Sequence, residues 1–223
     1  MSTDDDDNRG RRERMVREQL ERRGVRDARV VAAMRKVPRE DYVPAALRRQ
    51  AFDDHALEIA AGQTISQPFI VGYMLQALAI RPGDRVLEIG TGSGYNAALL
   101  GELAAEVITV ERIPELAAAA AERLRRAGLD HVHVRIADGT RGWREEAPYD
   151  AIVVTAGGPD VPRSLLRQLA PNGRLVMPVG RAGEQRLVRV RRTGRESFER
   201  ELLTRVRFVP LIGAEGWRGD GTD

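Results

Sequence analysis

Apolar residues follow two regimes along this chain. Over residues 11–80 they recur at helical spacing, and beyond residue 85 short apolar runs alternate with helical stretches. Met15, Val16 and Leu20 form a stripe among arginines and glutamates that Gly24 ends. Val30, Val31 and Met34 repeat the spacing behind Asp27, a candidate N-cap, and Pro38 blocks continuation. A short helix is expected over 45–51 and irregular backbone over 52–62. Ile70, Met74, Leu75 and Leu78 then mark another helix, with Pro68 suited to its first turn.

From residue 86 the pattern becomes a strand–helix alternation. Strands are expected at 86–89, 107–110, 132–136, 149–155 and 175–179, and helices at 95–104, 114–126 and 162–169. Segments 185–192 and 201–208, joined around Gly194, read as an antiparallel hairpin. The fold class is therefore α/β: a doubly wound, mostly parallel sheet with an N-terminal helical extension and a C-terminal antiparallel hairpin. Four divisions follow. Residues 1–10 are expected to be a disordered tail, because Asp4 to Asp7 repel one another without apolar compensation. Residues 11–80 form a helical, substrate-side region, 81–213 the ligand-binding α/β domain, and 214–223 a mobile tail.

Composition narrows the classes further. The chain of 223 residues is 42% apolar, enough for one sizeable core. It has no cysteine, which excludes a disulfide framework, thiolate metal sites and a thiol nucleophile. His55, His131 and His133 show no metal-ligand spacing, so no metal is expected. The net charge of +3 is spread over interspersed acids and arginines, which argues for a mixed solvated surface rather than a nucleic-acid patch. No apolar run approaches a membrane span. A cytoplasmic monomer without membrane or nucleic-acid partners is expected.

The chemistry concentrates after the first strand. Gly90, Gly92 and Gly94 stand at alternate positions behind Glu88, at the end of a buried run. A tight strand-to-helix turn would use them, and so would backbone that must touch a nucleotide-like ligand. A dinucleotide fingerprint wants glycine at position 95, where the chain has Tyr95. A nucleoside without phosphates fits better, which points to S-adenosylmethionine. Glu111 ends the second strand, where an acid can take ribose hydroxyls of either that molecule or a nicotinamide cofactor. Asp138, before Gly139, ends the third strand on the same edge. It can accept from an adenine amino group, and it also suits an ordinary turn. Ser66 precedes the helix at Pro68, either as its N-cap or as a binder of an anionic carboxylate.

Beginning at Gly62, the run through Thr64, Ile65, Ser66, Gln67 and Pro68 resembles the protein-L-isoaspartate O-methyltransferase family. The likeness continues through 86–95, 111–116, Asp138-Gly139, 147–152, 169–175 and 207–211, and so covers roughly residues 15–213 in order. The glycines and Asp138 are shared by many methyltransferases, whereas the 64–68 segment is specific. The resemblance implies a class I methyltransferase, Rossmann-like fold, with S-adenosyl-L-methionine as methyl donor and S-adenosyl-L-homocysteine as product. The implied acceptor is the free α-carboxylate of L-isoaspartyl residues in damaged proteins and peptides, whose ester collapses to a succinimide.

By position it makes Ser66 the active-site serine. It places Thr64, Ile65, Glu88, Gly90, Thr91, Gly92, Gly94, Glu111, Arg112, Asp138 and Gly139 around the cofactor. Ser66, Gln67, Val209 and Pro210 fall near the substrate. The chain departs from the family pattern at Leu57-Glu-Ile59, at Ala60-Ala61 and at Gly157-Gly158. Two rival readings are another class I methyltransferase acting on RNA or a small molecule, and a non-catalytic S-adenosylmethionine-binding module. The first has no reason to carry 64–68, and the second would bind cofactor without turnover.

Overall fold

In the computed structural model, which describes residues 3–181 and 183–218, the chain opens with helix α1 (Thr3–Met15). A π turn over Val16–Leu20 and a 3-10 turn over Glu21–Arg23 extend it. Gly24 ends it at φ 93°, a left-handed conformation free of strain for glycine. The expected disorder over 1–10 is corrected from Thr3 onward, while Met1 and Ser2 lie outside the described residues. Asp6 and Asp7 lie near the start of the helix, where the macrodipole favours negative charge, and Arg9 lies 3.5 Å from Asp6.

Helix α2 (Ala28–Lys36) starts as expected, with the Asp27 carboxylate accepting from the Arg29 and Val30 amides at 2.9 and 3.2 Å. Two 3-10 turns follow, Arg39–Tyr42 and Ala45–Gln50. β1 (Leu57–Glu58), within the stretch expected to be irregular, pairs with β2 (Thr64–Ile65), just beyond it, as a small antiparallel ribbon. Strands of two residues are too short to leave an alternation signal. Helix α3 (Pro68–Leu78) has its proline in the first turn.

The main sheet follows: β3 (Arg85–Ile89), α4 (Tyr95–Leu103), β4 (Glu106–Glu111), α5 (Pro114–Arg126), β5 (Val132–Ile136), β6 (Tyr149–Val154), α6 (Arg163–Gln168), β7 (Leu169–Val179), β8 (Gln185–Arg192) and β9 (Phe198–Val206). Strand order is β5-β4-β3-β6-β7-β8-β9, parallel through β7 and antiparallel beyond. β7 begins six residues before the expected start at 175, and its predicted turn survives as a bulge. Leu169 pairs with Tyr149, Asn172 takes φ 60°, and pairing resumes at Arg174 opposite Ala151. The last strand likewise starts at Phe198 rather than 201.

Strand alternation sends Val86 to one face of the sheet and Leu87 to the other. On the first face Met15, Leu20, Met34 and Leu75 pack with Val86, Leu99 and Val107 in one cluster. The helical region 11–80 therefore shares its core with the sheet. On the other face Leu87, Ile108, Val154, Leu165 and Met177 form a second cluster. The segment expected to be mobile after 213 is docked as far as Trp217, whose backbone amide donates to Leu211 O at 2.8 Å and whose indole donates to Gly157 O at 2.9 Å. Residues 219–223 lie outside the described residues. Among the described residues no helix is long and apolar enough to cross a membrane.

Arg174 joins α3 to the sheet. It donates to Leu78 O, Ala79 O and Asp150 O at 2.8, 2.6 and 3.0 Å, and to the Asp84 carboxylate at 2.7 Å. Both partners of this ion pair are nearly buried. Arg174→Met strands the Asp84 charge and three carbonyls, so a loss of about 3 kcal/mol is expected in urea denaturation. A loss below about 1 kcal/mol would remove this anchor from the account.

Candidate active site

The chain runs from β3 outward to β5 and then crosses to β6 on the other side of β3. Ligands of open α/β sheets bind beyond the strand ends at such a reversal. The loop 90–94 lies there, with Gly90, Gly92 and Gly94 at φ 95°, 53° and 88°. A Cβ on Gly90 would lie 2.5 Å from Thr155 Oγ1, and that hydroxyl donates to Gly90 O at 2.7 Å and Ile89 O at 3.0 Å. From the other side the Gly92 amide donates to Glu111 Oε2 at 2.9 Å. Arg112 and Ile113 donate their amides to Oε1 at 2.9 and 3.0 Å. Three of the carboxylate's roughly four acceptor positions are thus filled, which leaves Oε2 open to a ligand hydroxyl.

Two residues placed around the cofactor by sequence face elsewhere. Gly94 turns toward α5, where its Cβ would meet Ala120 Cβ at 3.3 Å, so it serves helix packing. Glu88 is fully buried beneath the loop and accepts from Asn96 Nδ2 at 2.8 Å and Thr109 Oγ1 at 2.6 Å. Thr109 Oγ1 is also 2.6 Å from Thr91 Oγ1, so Glu88 and Thr91 prop the loop from below. Burial pushes the Glu88 pKa up to about 7, against the hydrogen bonds of Thr109 and Asn96.

Asp138 caps the 3-10 turn Gly139–Arg141, accepting at Oδ1 from the Thr140 amide at 2.9 Å and hydroxyl at 2.7 Å. Its Oδ2 accepts from the Ala214 amide at 2.8 Å. Partial burial opposes its charge, but these donors, with Arg141 nearby, hold its pKa below the ordinary carboxylate value. The C-terminal segment is pinned again one residue on. The Glu215 amide donates to Thr140 Oγ1 at 3.0 Å, and the Glu215 carboxylate accepts from the Ser164 amide at 3.0 Å and from its hydroxyl. Gly139 leaves its backbone bare, since a Cβ there would strike Ile89 Cγ2 at 2.5 Å.

Two adjoining clefts, of about 540 and 440 Å³ with their open mouths, meet at Thr64, Gly90, Gly92 and Thr155. The outer one adds Glu111, Arg112, Gly139, Val209 and Pro210, and the inner one Ile65, Ser66, Thr91, Tyr95 and Asn96. Ser66 is not the N-cap of α3. Gln67 holds that position without a side-chain cap, and its side-chain Nε2 instead donates to Asp54 O and Oδ1 at 3.0 and 2.8 Å. Among the described residues the Ser66 hydroxyl has no partner, so it is available at the cleft wall. A larger depression, about 1390 Å³ with its mouth, lies among Lys36, Tyr42, Arg48, Glu102 and Arg123. It holds none of the loop glycines or strand-end carboxylates, so size does not select the site.

One departure from the family pattern has a local reason, and another carries a local cost. A Cβ on Gly157 would lie 2.2 Å from Gln185 Nε2, so glycine lets β8 approach. Ala61 takes φ 57°, a strain of roughly 1 kcal/mol that glycine would avoid. Sequence reasoning missed Thr155 and Asn96. Thr155 carried a usable signal, being the last residue of the expected fourth strand on the ligand edge.

The bare-backbone loop at the sheet reversal and a strand-end carboxylate with one open acceptor suit a nucleoside without phosphates. With the 64–68 segment alongside, they define a class I methyltransferase. The family model for protein-L-isoaspartate(D-aspartate) O-methyltransferase (PCMT) matches residues 10–216. Protein-L-isoaspartate O-methyltransferase 2 of Pelobacter propionicus is 58% identical over 208 residues, 93% of this chain and 92% of its own. The Rhodopseudomonas palustris protein-L-isoaspartate O-methyltransferase is 58% identical over 92% of this chain and 94% of its own. A Plasmodium falciparum crystal structure described as a β-aspartate methyltransferase, in complex with S-adenosyl-L-homocysteine, superposes with TM-score 0.79 at 26% identity. That match covers 90% of this chain and 98% of the other. The chain belongs to the protein-L-isoaspartate(D-aspartate) O-methyltransferase family.

Glu88 gives a pH test of the loop's support. Its pKa is 4.5 in an ordinary setting and about 7 when folded, so within that window the native state holds more protons than the unfolded one. Stability contributed here therefore falls as pH rises through the window. Glu88→Gln cannot ionise, so it should gain on the wild type by about 3 kcal/mol between about pH 5 and about pH 8. Parallel denaturation curves for the two proteins across that range would sink this assignment.

Proposed function

We infer that the chain catalyses S-adenosylmethionine-dependent methyl esterification of the free α-carboxylate of L-isoaspartyl residues in damaged proteins and peptides, which starts repair through a succinimide. The observation that carries this reading is the Ser66 hydroxyl, without a partner among the described residues, on the cleft that opens onto the glycine loop. S-adenosylmethionine supplies a sulfonium-bound methyl group, which passes to a carboxylate oxygen and leaves S-adenosylhomocysteine. The bare backbone at Gly90 and Gly92, the open Glu111 Oε2, and the turn at Asp138 and Gly139 would hold the nucleoside. Thr64, Ile65 and Arg112 would border it.

Ser66 would donate its hydroxyl hydrogen to the acceptor carboxylate. Such a carboxylate is already ionised near neutral pH and needs no base, in keeping with a cleft lined by hydroxyls and amides. The remaining task is alignment in a dry site, and Val209 and Pro210 would shield it from water. Residues 11–80 supply the substrate side in this scheme. We further propose a cytoplasmic monomer acting on peptides rather than nucleic acids. Paired surface charges, such as Arg35 with Glu13 and Glu21, engage arginines that a phosphate-binding patch would need free.

Labelled methyl transfer to paired peptides, one isoaspartyl and one aspartyl, should mark the isoaspartyl peptide alone. Equal labelling, or none, overturns the reading. Ser66→Ala should lower kcat/KM by roughly tenfold to a hundredfold, the worth of a hydrogen bond to a charged group. An unchanged kcat/KM would take Ser66 out of carboxylate binding.

A further inference from the structure

A buried guanidinium stands behind Ser66. Arg39 has no solvent exposure, donates Nε to Ala51 O at 2.7 Å and Nη2 to Ser66 O at 2.8 Å, and lies over the Tyr95 ring at 5.0 Å. Neither its Nη1 nor the Tyr95 hydroxyl makes a well-formed hydrogen bond among the described residues, and the two groups lie beside each other. The adjacent Glu40 is engaged by Arg12 at 2.7 Å, so this buried cluster carries one positive charge in excess. An uncompensated buried charge is expensive, and tying two carbonyls together does not by itself require one. Tyr95 and Ser66, two of the residues this guanidinium touches, line the inner cleft.

We propose that Arg39 is a positioning residue for carboxyl methylation: it fixes the Ser66 carbonyl, thereby aiming the Ser66 hydroxyl, and its excess charge favours a carboxylate in the inner cleft. The proposal rests on the methyltransferase reading above. Because the aiming acts through Ser66, removing the Ser66 hydroxyl should make Arg39 matter less and leave only the effect of its charge. Cofactor affinity should be spared, since the glycine loop and Glu111 are held from β4 and β6, not from the Arg39 turn.

The test uses the full chain, with Arg39→Lys and Arg39→Met each made in wild-type and Ser66→Ala backgrounds. Steady-state rates on an isoaspartyl peptide are measured beside calorimetric binding of S-adenosylhomocysteine. Arg39→Met should lose at least about tenfold in peptide kcat/KM, with cofactor Kd within about threefold and partial recovery in Arg39→Lys. In the Ser66→Ala background the same substitutions should cost much less. Arg39→Lys, which keeps the charge, carries the test by itself should Arg39→Met not fold. Full activity of Arg39→Lys and Arg39→Met, equal losses in both backgrounds, or a parallel fall in cofactor affinity would each overturn the proposal. A wild-type protein inactive on the isoaspartyl peptide would instead sink the methyltransferase reading.

Discussion

The glycine loop after β3 is held from two sides, and the rest of the site depends on that. Glu111 grips the Gly92 amide from the end of β4, and Thr155 grips the Gly90 carbonyl from the residue after β6. Both grips come from strands flanking β3 in parallel register, so the sheet itself sets the loop's position. Positive φ at the glycines lets the backbone follow this path without side chains in the cleft. Below it Glu88 spends its carboxylate on Asn96 and Thr109 rather than on a ligand. Burying an acid there costs stability as it ionises, and the cost is borne where the loop must not sag.

The second half of the site comes from the opposite direction. The 64–68 segment is delivered by a two-strand ribbon and stopped by Pro68, and the Ser66 backbone is caught by an arginine from a distant turn. Tyr95 links the halves. It opens α4 directly after the loop, stacks near Tyr42 at 5.6 Å, and lies under Arg39. The residue that spoils a dinucleotide fingerprint in the sequence is thus the contact between the donor side and the acceptor side.

Much of this was legible in the sequence because the signals were local. The alternation of apolar runs and helical stretches predicts the order β3 to β9, and Asp27, Gly24 and Pro68 mark helix ends through their own backbone chemistry. Only the start of α1, before Arg11, left no signal, because a run of aspartates has no apolar spacing and its like charges argue against order. The roles of Glu88 and Gly94 escaped for another reason. Both belong to the loop motif, but which side of the loop a residue faces is settled by α5 and β4 packing against it. Arg39 left no trace, being one arginine among many in a chain with a single lysine.

The C-terminal segment that walls the outer cleft follows every strand of the sheet. Val209 and Pro210 line the cleft, and Ala214, Glu215 and Trp217 anchor the segment through Asp138, Ser164 and Gly157. During synthesis on the ribosome a chain grown through β9 already holds the glycine loop, Glu111 and Ser66, yet its pocket is a trough lacking one side. Asp138 has only its local partners until Ala214 arrives. A stretch made after every strand of the sheet therefore walls the open side of the cleft, so that assembly of the pocket trails assembly of the fold.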